Sequence, residues 1–248
     1  MIMRYIRKNI VPLYMTEWID ARKDAGQKIV YDDFDKKKEL NKDLRHEQHG
    51  LCCYCQRVID HYQSEPGDKG SGAHNEHLYP QHIEGDMQSE QLQMNYNNIF
   101  ACCIDSRGYA KRQKDKQHCG ESKGHKVIPN LICKETCSFY FFYSLSGEII
   151  PAQRRELQWG KYKELPQTVF TVDENEAFEC IQVLNLNCDF LKEERKQCID
   201  ALHIMYGTKK KEELIHIRED LLAREQYPPY IELRLQYIQT LIEKQDVV

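Results

Sequence analysis

The chain lacks any hydrophobic run long enough to cross a bilayer, which takes about 20 apolar residues. Its most apolar short stretch is FYFFYSL, at 139–145. The first residues, MIMRYIRKNIVPLY, are interrupted by Arg4, Arg7 and Lys8 and so lack the apolar core of a secretory signal. We therefore expect a cytoplasmic protein that has no membrane partner.

The chain also lacks an excess of positive charge. Its 248 residues include 35 Lys and Arg against 39 Asp and Glu, which gives a formal net charge of −4. Such a protein does not attract nucleic acid over its whole surface, so a nucleic-acid site has to be a local basic patch or has to be completed by a partner. The 41% of hydrophobic residues is typical of a folded globular protein.

A complete disulfide framework is a third absence, because the eleven cysteines are an odd number. In a reducing compartment cysteines bind metals more often than they form disulfides. The cysteine count therefore favours a metal site in an intracellular protein.

The patterns predict an α+β protein in four parts. Residues 1–50 show helical spacing of apolar residues, and residues 51–126 hold most of the Cys, His and Gly. Residues 127–172 contain a predicted β-hairpin around Ser146-Gly147, followed by a linker. Residues 173–248 are again helical, with a break at Pro228-Pro229. No internal repeat is visible.

The segment LCCYCQR contains the first metal-ligand candidates. Cys52 and Cys55 have the C-x2-C spacing at which two thiolates reach one tetrahedral zinc ion around a tight turn. Cys53 offers a second interpretation, C-x-C with Cys55, and the C-x2-C pair is preferred.

A second pair of ligands has to come from later in the chain. Cys102 and Cys103 in IFACCIDSRG and Cys119 in KQHCGESKG are candidates, and Cys133 with Cys137 is a rival C-x3-C pair. Four cysteines around one zinc ion make a closed site, which is structural rather than catalytic.

The stretch GAHNEHLYPQH lies between these cysteine groups. Its adjacent Glu76 and His77 offer a carboxylate ligand for a divalent cation and an imidazole base, the two groups a hydrolytic nuclease needs. On a strand the two side chains point to opposite faces, so a shared site requires a bent backbone. Asn98, in NYNNIFACC, is a candidate for holding a neighbouring loop by hydrogen bonds.

The most basic segment of the chain is SRGYAKRQKDKQHCGESKGHK, at 106–126. Arg107, Lys111, Arg112 and Lys123 are its candidate phosphate contacts. A solvated loop explains the same charges equally well.

Taken in order, the motifs C-x2-C, E-H-x-x-P, N-N-I-x-x-C-C and C-x3-K resemble the HNH (ββα-metal) nucleases. The segments HEQHGLCCYCQRVI, NEHLYPQ, YNNIFACC, HCGESKG, GEIIP and LNLNCDFLKEERK are similar to the HNH subunit of Septu and retron-linked antiphage systems, the PtuB-like family. The resemblance extends to about residue 200. It implies an HNH core over residues 51–126 that is surrounded by the terminal helices.

The resemblance implies a role for each motif residue. His77 is the general base that activates water, Glu76 ligates a catalytic Mg²⁺ or Mn²⁺ ion, and Asn98 orients the loop that carries His77. Lys123 reaches a phosphate. The four residues expected to hold a structural zinc ion are Cys52, Cys55, Cys103 and Cys119, where Cys103 is chosen over Cys102 by its spacing from the Asn.

The chain departs from the family at Gly120, where many HNH motifs carry His or Asp. The second protein ligand of the cation is therefore unassigned, and Glu121 and His118 are the candidates. Mg²⁺ commonly keeps several waters, so few protein ligands suffice. His74 and His82 are expected to be loop residues without a role.

The resemblance also implies partners. An ABC-type or SMC-like ATPase would bind and control the nuclease, and the substrate would be nucleic acid. DNA is the first expectation. The alternatives are tRNA, in a retron-type system with its RNA–DNA, or a zinc-stabilised adaptor without catalysis, which the glycine at position 120 favours.

Overall fold

The computed structural model describes residues 3–63, 71–104 and 117–246. These residues form a mixed α+β protein, as the sequence predicts. Its helices are α1 (Leu13–Asp24), α2 (Lys37–Glu47), α3 (Met87–Leu92), α4 (Cys119–Lys123), α5 (Trp159–Glu164), α6 (Val172–Val183), α7 (Asp189–Tyr206), α8 (Lys211–Leu222) and α9 (Ile231–Asp246).

The strands form two small sheets. The first contains β1 (Ile59–Tyr62), β2 (Ser71–His77) and β3 (Ile99–Cys103), in the order β1-β2-β3. Strand β1 runs parallel to β2, and β2 runs antiparallel to β3. The second sheet is the antiparallel pair β4 (Phe141–Tyr143) and β5 (Ile149–Pro151). The predicted β-hairpin around Ser146-Gly147 is therefore confirmed.

Helix ends follow the local sequence. Gly26, just after α1, has φ +62°, a conformation that glycine adopts without steric cost. Helix α6 begins with a capping box: Thr171 Oγ1 accepts from the Glu174 N–H at 3.2 Å, and Glu174 Oε2 accepts from the Thr171 N–H at 2.8 Å. Pro228 and Pro229 separate α8 from α9, as predicted.

The three-stranded sheet packs against α2, whose Leu40 and Leu44 are fully buried. Burial of these two side chains contributes roughly 1.5–3 kcal/mol each. The C-terminal helices α8 and α9 pack on one another around a second apolar cluster that includes Leu214 and Ile238.

The segment LNLNCDFLKEERK holds the β4–β5 hairpin against α7. The side-chain amide of Asn187 bonds the backbone of Ile149 in β5. Its Oδ1 accepts from the Ile149 N–H at 2.8 Å, and its Nδ2 donates to the Ile149 carbonyl at 2.7 Å. Arg195 on α7 is fully buried and donates to the carbonyls of Gly147 and Leu186 at 2.7 and 2.8 Å. These bonds fix the turn of the β4–β5 hairpin against α7, so this motif has a structural role.

Within the described ranges, no helix combines the length and the apolar composition needed to cross a membrane.

Candidate metal centre and catalytic face

The first part of the metal centre is a tight turn after α2. The N–H of Gln56 donates to the carbonyl of Cys52 at 3.2 Å, and the N–H of Cys52 donates to the carbonyl of Arg57 at 2.9 Å. Gln56 adopts φ +61°, in the left-handed region that closes the turn. Cys52 and Cys55 lie in this turn and are buried, each 2% exposed. A tight turn is what the C-x2-C spacing predicts.

The other ligand candidates lie at the end of β3 and at the start of α4. Cys102 and Cys103 are the last residues of β3, and His118 and Cys119 begin α4. All four are buried. Neighbouring thiols are close: Cys52 Sγ lies 3.9 Å from the Sγ atoms of both Cys102 and Cys119.

Six ligand atoms form two groups, and within each group they all lie within 4.8 Å of one another. The first group is Cys52, Cys102, Cys103 and Cys119; the second is Cys55, Cys103, His118 and Cys119. Burial raises the pKa of the Cys119 thiol well above its usual value, because a buried thiolate without a counter-charge is costly. A metal ion supplies that charge, and sulfur with imidazole nitrogen suits Zn²⁺. The cluster can therefore bind zinc.

The predicted zinc quartet is divided between these groups. Cys103 and Cys119 belong to both, whereas Cys52 belongs to the first and Cys55 to the second. The structure thus brings all four predicted residues together, but it does not place them in one set of four mutually close atoms.

Two further ligand candidates were not in the predicted quartet. Cys102 accompanies Cys103 instead of replacing it. His118, one of the two candidates for the second ligand of the catalytic cation, belongs to the cysteine cluster, with its Nε2 3.7 Å from Cys103 Sγ. The adjacent pairs Cys-Cys and His-Cys were the sequence signal. The rival pair Cys133 and Cys137 enters neither of the candidate metal groups found in the described ranges.

Strand β2 presents its side chains alternately to two faces. On one face, Glu76 contacts His74 of the same strand, Tyr54 of the cysteine turn and Lys123 of α4. On the other face, His77 packs edge-on against the Tyr31 ring at 4.5 Å between centroids. Glu76 and His77 therefore point to opposite faces, as the period of a strand requires, and the backbone is not bent enough to bring them together.

The Glu76 carboxylate is buried, 8% exposed, and both its oxygens accept hydrogen bonds. Oε1 accepts from Lys123 Nζ at 2.9 Å and from the Tyr54 hydroxyl at 3.3 Å, and Oε2 accepts from His74 Nε2 at 3.1 Å. Burial raises the pKa of Glu76, but the bond from His74 and the charge of Lys123 outweigh it and hold the pKa below its usual value. The carboxylate is thus ionised at neutral pH.

The His77 imidazole is fixed at the end of β2. Its Nε2 donates to the carbonyl of Gln93 at 2.8 Å, so in the neutral ring Nδ1 carries the lone pair. Burial lowers the pKa of His77 and keeps the ring in this neutral form. Such an imidazole can accept a proton from a water molecule that reaches Nδ1.

Asn98 ties down the chain that follows His77. Its Oδ1 accepts from the Tyr79 N–H at 2.7 Å, and its Nδ2 donates to the carbonyls of Tyr79 and Leu92 at 3.0 and 3.2 Å. Its own carbonyl accepts from the Leu78 N–H at 2.9 Å. These contacts hold the backbone of Leu78 and Tyr79, directly after His77, and the orienting role of Asn98 in catalysis stays a prediction.

No family model matches this chain, and no curated protein matches it. Similarity to known proteins therefore does not assign the chain to a family. Its function has to follow from the chemistry of its side chains and from the order of its motifs.

His74 is not a loop residue, contrary to the sequence expectation. It lies on β2, two positions before Glu76 and on the same face, and the H-x-E spacing was the signal for this contact. A Cβ atom at Gly120 would lie 2.6 Å from Glu76 Oε2 and 2.9 Å from His74 Nε2. Glycine at position 120 therefore leaves the space that this carboxylate–imidazole pair occupies. His82, in contrast, is an exposed residue outside the strands.

The structure gives Lys123 a different position from the predicted phosphate contact. It is 2% exposed, and its ammonium donates to Glu76 Oε1 at 2.9 Å and to the His77 carbonyl at 2.8 Å. Both acceptors lie on β2, so Lys123 fastens α4 to that strand. The other predicted phosphate contacts, Arg107, Lys111 and Arg112, lie outside the described residues.

Proposed function

We propose that this protein is a metal-dependent endonuclease of the HNH type that hydrolyses phosphodiester bonds. DNA is the proposed substrate, and RNA is the alternative. The observation that carries the proposal is the environment of His77. A neutral imidazole is fixed by a backbone carbonyl at the end of a short antiparallel strand pair. Asn98 holds the residues that follow, and the opposite end of the same strand pair carries the cysteine cluster.

In the proposed reaction His77 is the general base. With the Nε2 proton committed to Gln93, only Nδ1 can receive a proton from the attacking water. The T-shaped contact with the Tyr31 ring and the hydrogen bond to Gln93 hold the imidazole orientation. A base that is already oriented loses little entropy when the reaction begins.

The residues around Gly120 fit a catalytic divalent cation. Glu76 Oε2 and His74 Nε2 are 3.1 Å apart, close to the spacing of neighbouring ligands around an octahedral ion with bonds of about 2.1 Å. Ligation by His74 requires its proton to move from Nε2 to Nδ1. When bound, the cation would neutralise charge on the scissile phosphate. A nitrogen ligand favours Mn²⁺ over Mg²⁺, and Lys123 leaves only one carboxylate oxygen available.

A zinc-stabilised adaptor without catalysis is the second candidate. Two observations favour it: Glu76 and His77 face opposite sides of β2, and His77 is only 7% exposed. In this case the ion pair between Lys123 and Glu76 is a permanent structural contact, and the thiolate cluster supports a surface that binds another protein.

The biological setting follows from the resemblance. We propose that the chain acts in an antiphage system with an ABC-type or SMC-like ATPase, and that the ATPase provides part of the nucleic-acid binding surface. The net charge of −4 supports this proposal, because the chain as a whole does not attract nucleic acid. A tRNA-cleaving effector of a retron-type system is the alternative for the same site.

The test is a cleavage assay of the purified chain, alone and with its ATPase, on plasmid DNA and on tRNA in Mn²⁺ and in Mg²⁺. We expect His77→Ala to lower the cleavage rate by about 10²–10⁴-fold, the usual contribution of a general base. His82→Ala, at an exposed histidine, is the matched control and should leave the rate unchanged. Equal cleavage by His77→Ala and the parent protein would refute the catalytic role of His77, and zinc binding without any cleavage would favour the adaptor.

A further inference from the structure

The two groups of metal-ligand candidates share two residues. Cys103 and Cys119 occur in both groups, whereas Cys52 with Cys102 and Cys55 with His118 each occur in one. Two sets of four ligands with two members in common describe two tetrahedra that share an edge.

The distances within the groups fit tetrahedral coordination. With Zn–S bonds of about 2.3 Å, two thiolates on one tetrahedral ion lie roughly 3.8 Å apart. Cys52 Sγ lies 3.9 Å from Cys119 Sγ in the first group, and Cys55 Sγ lies 3.7 Å from Cys103 Sγ in the second. In each group one pair of thiols therefore has the spacing of two ligands on one zinc ion, and all atoms of a group lie within 4.8 Å of one another. A single tetrahedral ion can use only four of the six ligands.

We propose that the cluster holds two zinc ions bridged by the thiolates of Cys103 and Cys119. The remaining ligands are terminal: Cys52 and Cys102 complete the first site, and Cys55 and His118 complete the second. This arrangement goes beyond a single structural zinc ion and does not depend on nuclease activity.

The charge of the cluster supports two ions over one. Five thiolates carry five negative charges, and two Zn²⁺ ions carry four positive charges, which leaves one negative charge in a buried site. A single Zn²⁺ ion with the same thiolates would leave three, or would require several thiols to stay protonated. The backbone N–H groups of Cys103 and Gly120 donate to Cys52 Sγ and Cys102 Sγ, each at 3.3 Å, and so offset charge on the first site.

A bridged pair of ions has a mechanical consequence. Its ligands come from the turn after α2, the end of β3 and the start of α4. The bridging thiolates belong to β3 and α4, so both ions fasten these two elements to each other. Loss of either ion would loosen the contact of α4 with β2, where Lys123 meets Glu76.

The test is the zinc content of the full chain, measured by native mass spectrometry and elemental analysis after dialysis against a weak chelator. We expect two zinc ions per chain. The X-ray absorption fine structure should also contain a scattering contribution from a neighbouring zinc ion. One zinc ion per chain, or the visible absorbance of an iron–sulfur cluster, would overturn the proposal. The parent protein decides this outcome, so a variant that fails to fold does not obscure it.

Single substitutions then assign the ions. Cys102→Ser removes a terminal ligand of the first ion, and His118→Ala removes one of the second; each is expected to lower the zinc content from two to one. Cys198→Ser, at a half-buried thiol on α7 outside both groups, is the control and should keep two ions. An unchanged content of two in both ligand variants would refute the assigned ligands.

Discussion

The metal-ligand cluster around Cys103 and the core between α8 and α9 are both buried, but their side chains differ in chemistry. The cluster packs five cysteines and a histidine together. The helical core consists mainly of aliphatic residues such as Leu214 and Ile238, both fully buried. Burial of apolar side chains stabilises the folded state. Burial of thiolates destabilises it unless a cation compensates for the lost hydration. The two regions should therefore respond differently to the same treatment.

The charged residues around the two regions also differ. Next to the cluster, a buried carboxylate, a buried ammonium and an imidazole satisfy one another at Glu76, Lys123 and His74. Beside the α8–α9 core, Lys209 and Glu213 form an exposed pair at 2.7 Å. Exposed pairs of this kind contribute about 0.2–1 kcal/mol. One carboxylate of α9, Glu232, is buried and pairs with Arg4. The polar region depends on specific partners, and the helical region depends on area buried.

Removal of metal should give the largest effect and should be confined to the polar region. Structural zinc contributes on the order of 10 kcal/mol of binding free energy to small domains, more than a module of this size can lose and remain folded. We expect chelation to abolish hydrogen-exchange protection in β2 and β3 while α8 and α9 keep theirs. Hydrogen exchange followed by mass spectrometry measures both regions in one sample.

Restoring zinc should restore protection in β2 and β3, and added Mg²⁺ should not, because Mg²⁺ binds thiolates poorly. Equal loss of protection in α8 and α9 on chelation would show that the two regions unfold as one unit. The metal cluster and the helical core would then not be independently stable.

A cavity in the helical core should have the next largest effect. Leu214→Ala removes a fully buried side chain of α8 and is expected to lower the free energy of unfolding by about 2–5 kcal/mol. The zinc content should not change, since Leu214 belongs to the α8–α9 core and not to the ligand groups. Thermal or urea unfolding measures the first quantity, and elemental analysis measures the second.

Leu222→Ala on the same helix is the matched control, because Leu222 is 42% exposed. Its expected cost is within about 0.5 kcal/mol, as for most surface substitutions. A loss of zinc in Leu214→Ala would show that the helical core is needed to form the metal cluster.

The sequence predicted the elements that depend on local pattern. Apolar spacing predicted helical structure within residues 1–50, where α1 and α2 lie, and the pattern around Ser146-Gly147 predicted the β4–β5 hairpin. The C-x2-C spacing also located the turn at Cys52, because two thiolates and a tight turn are a local arrangement. In each of these cases neighbours in the sequence determine the result.

What the sequence left open depends on contacts between distant segments. His74 contacts Glu76 because strand alternation places both side chains on one face of β2 and because Gly120 of α4 leaves space there. Spacing favoured Cys103 over Cys102, but β3 brings both residues to the same cluster as His118. Spacing along the chain gives no measure of which atoms meet when β3 and α4 pack together.

Gly120→Ala is the smallest change that tests how closely the polar region is packed. The added Cβ would lie 2.6 Å from Glu76 Oε2 and 2.9 Å from His74 Nε2, so this pair has to shift. We expect a loss of about 1–3 kcal/mol of unfolding free energy, the usual cost of overpacking. We also expect at least a tenfold weaker affinity for Mn²⁺, which titration calorimetry measures.

The control is Gly160→Ala in α5, where an added Cβ meets no atom within 4 Å. Alanine is the better helix former by about 1 kcal/mol, so this variant should be as stable as the parent or more stable. If Gly120→Ala binds Mn²⁺ as tightly as the parent, His74 and Glu76 do not hold a cation together. The polar face of β2 would then be a closed network around Lys123, and the adaptor interpretation would gain support over the nuclease.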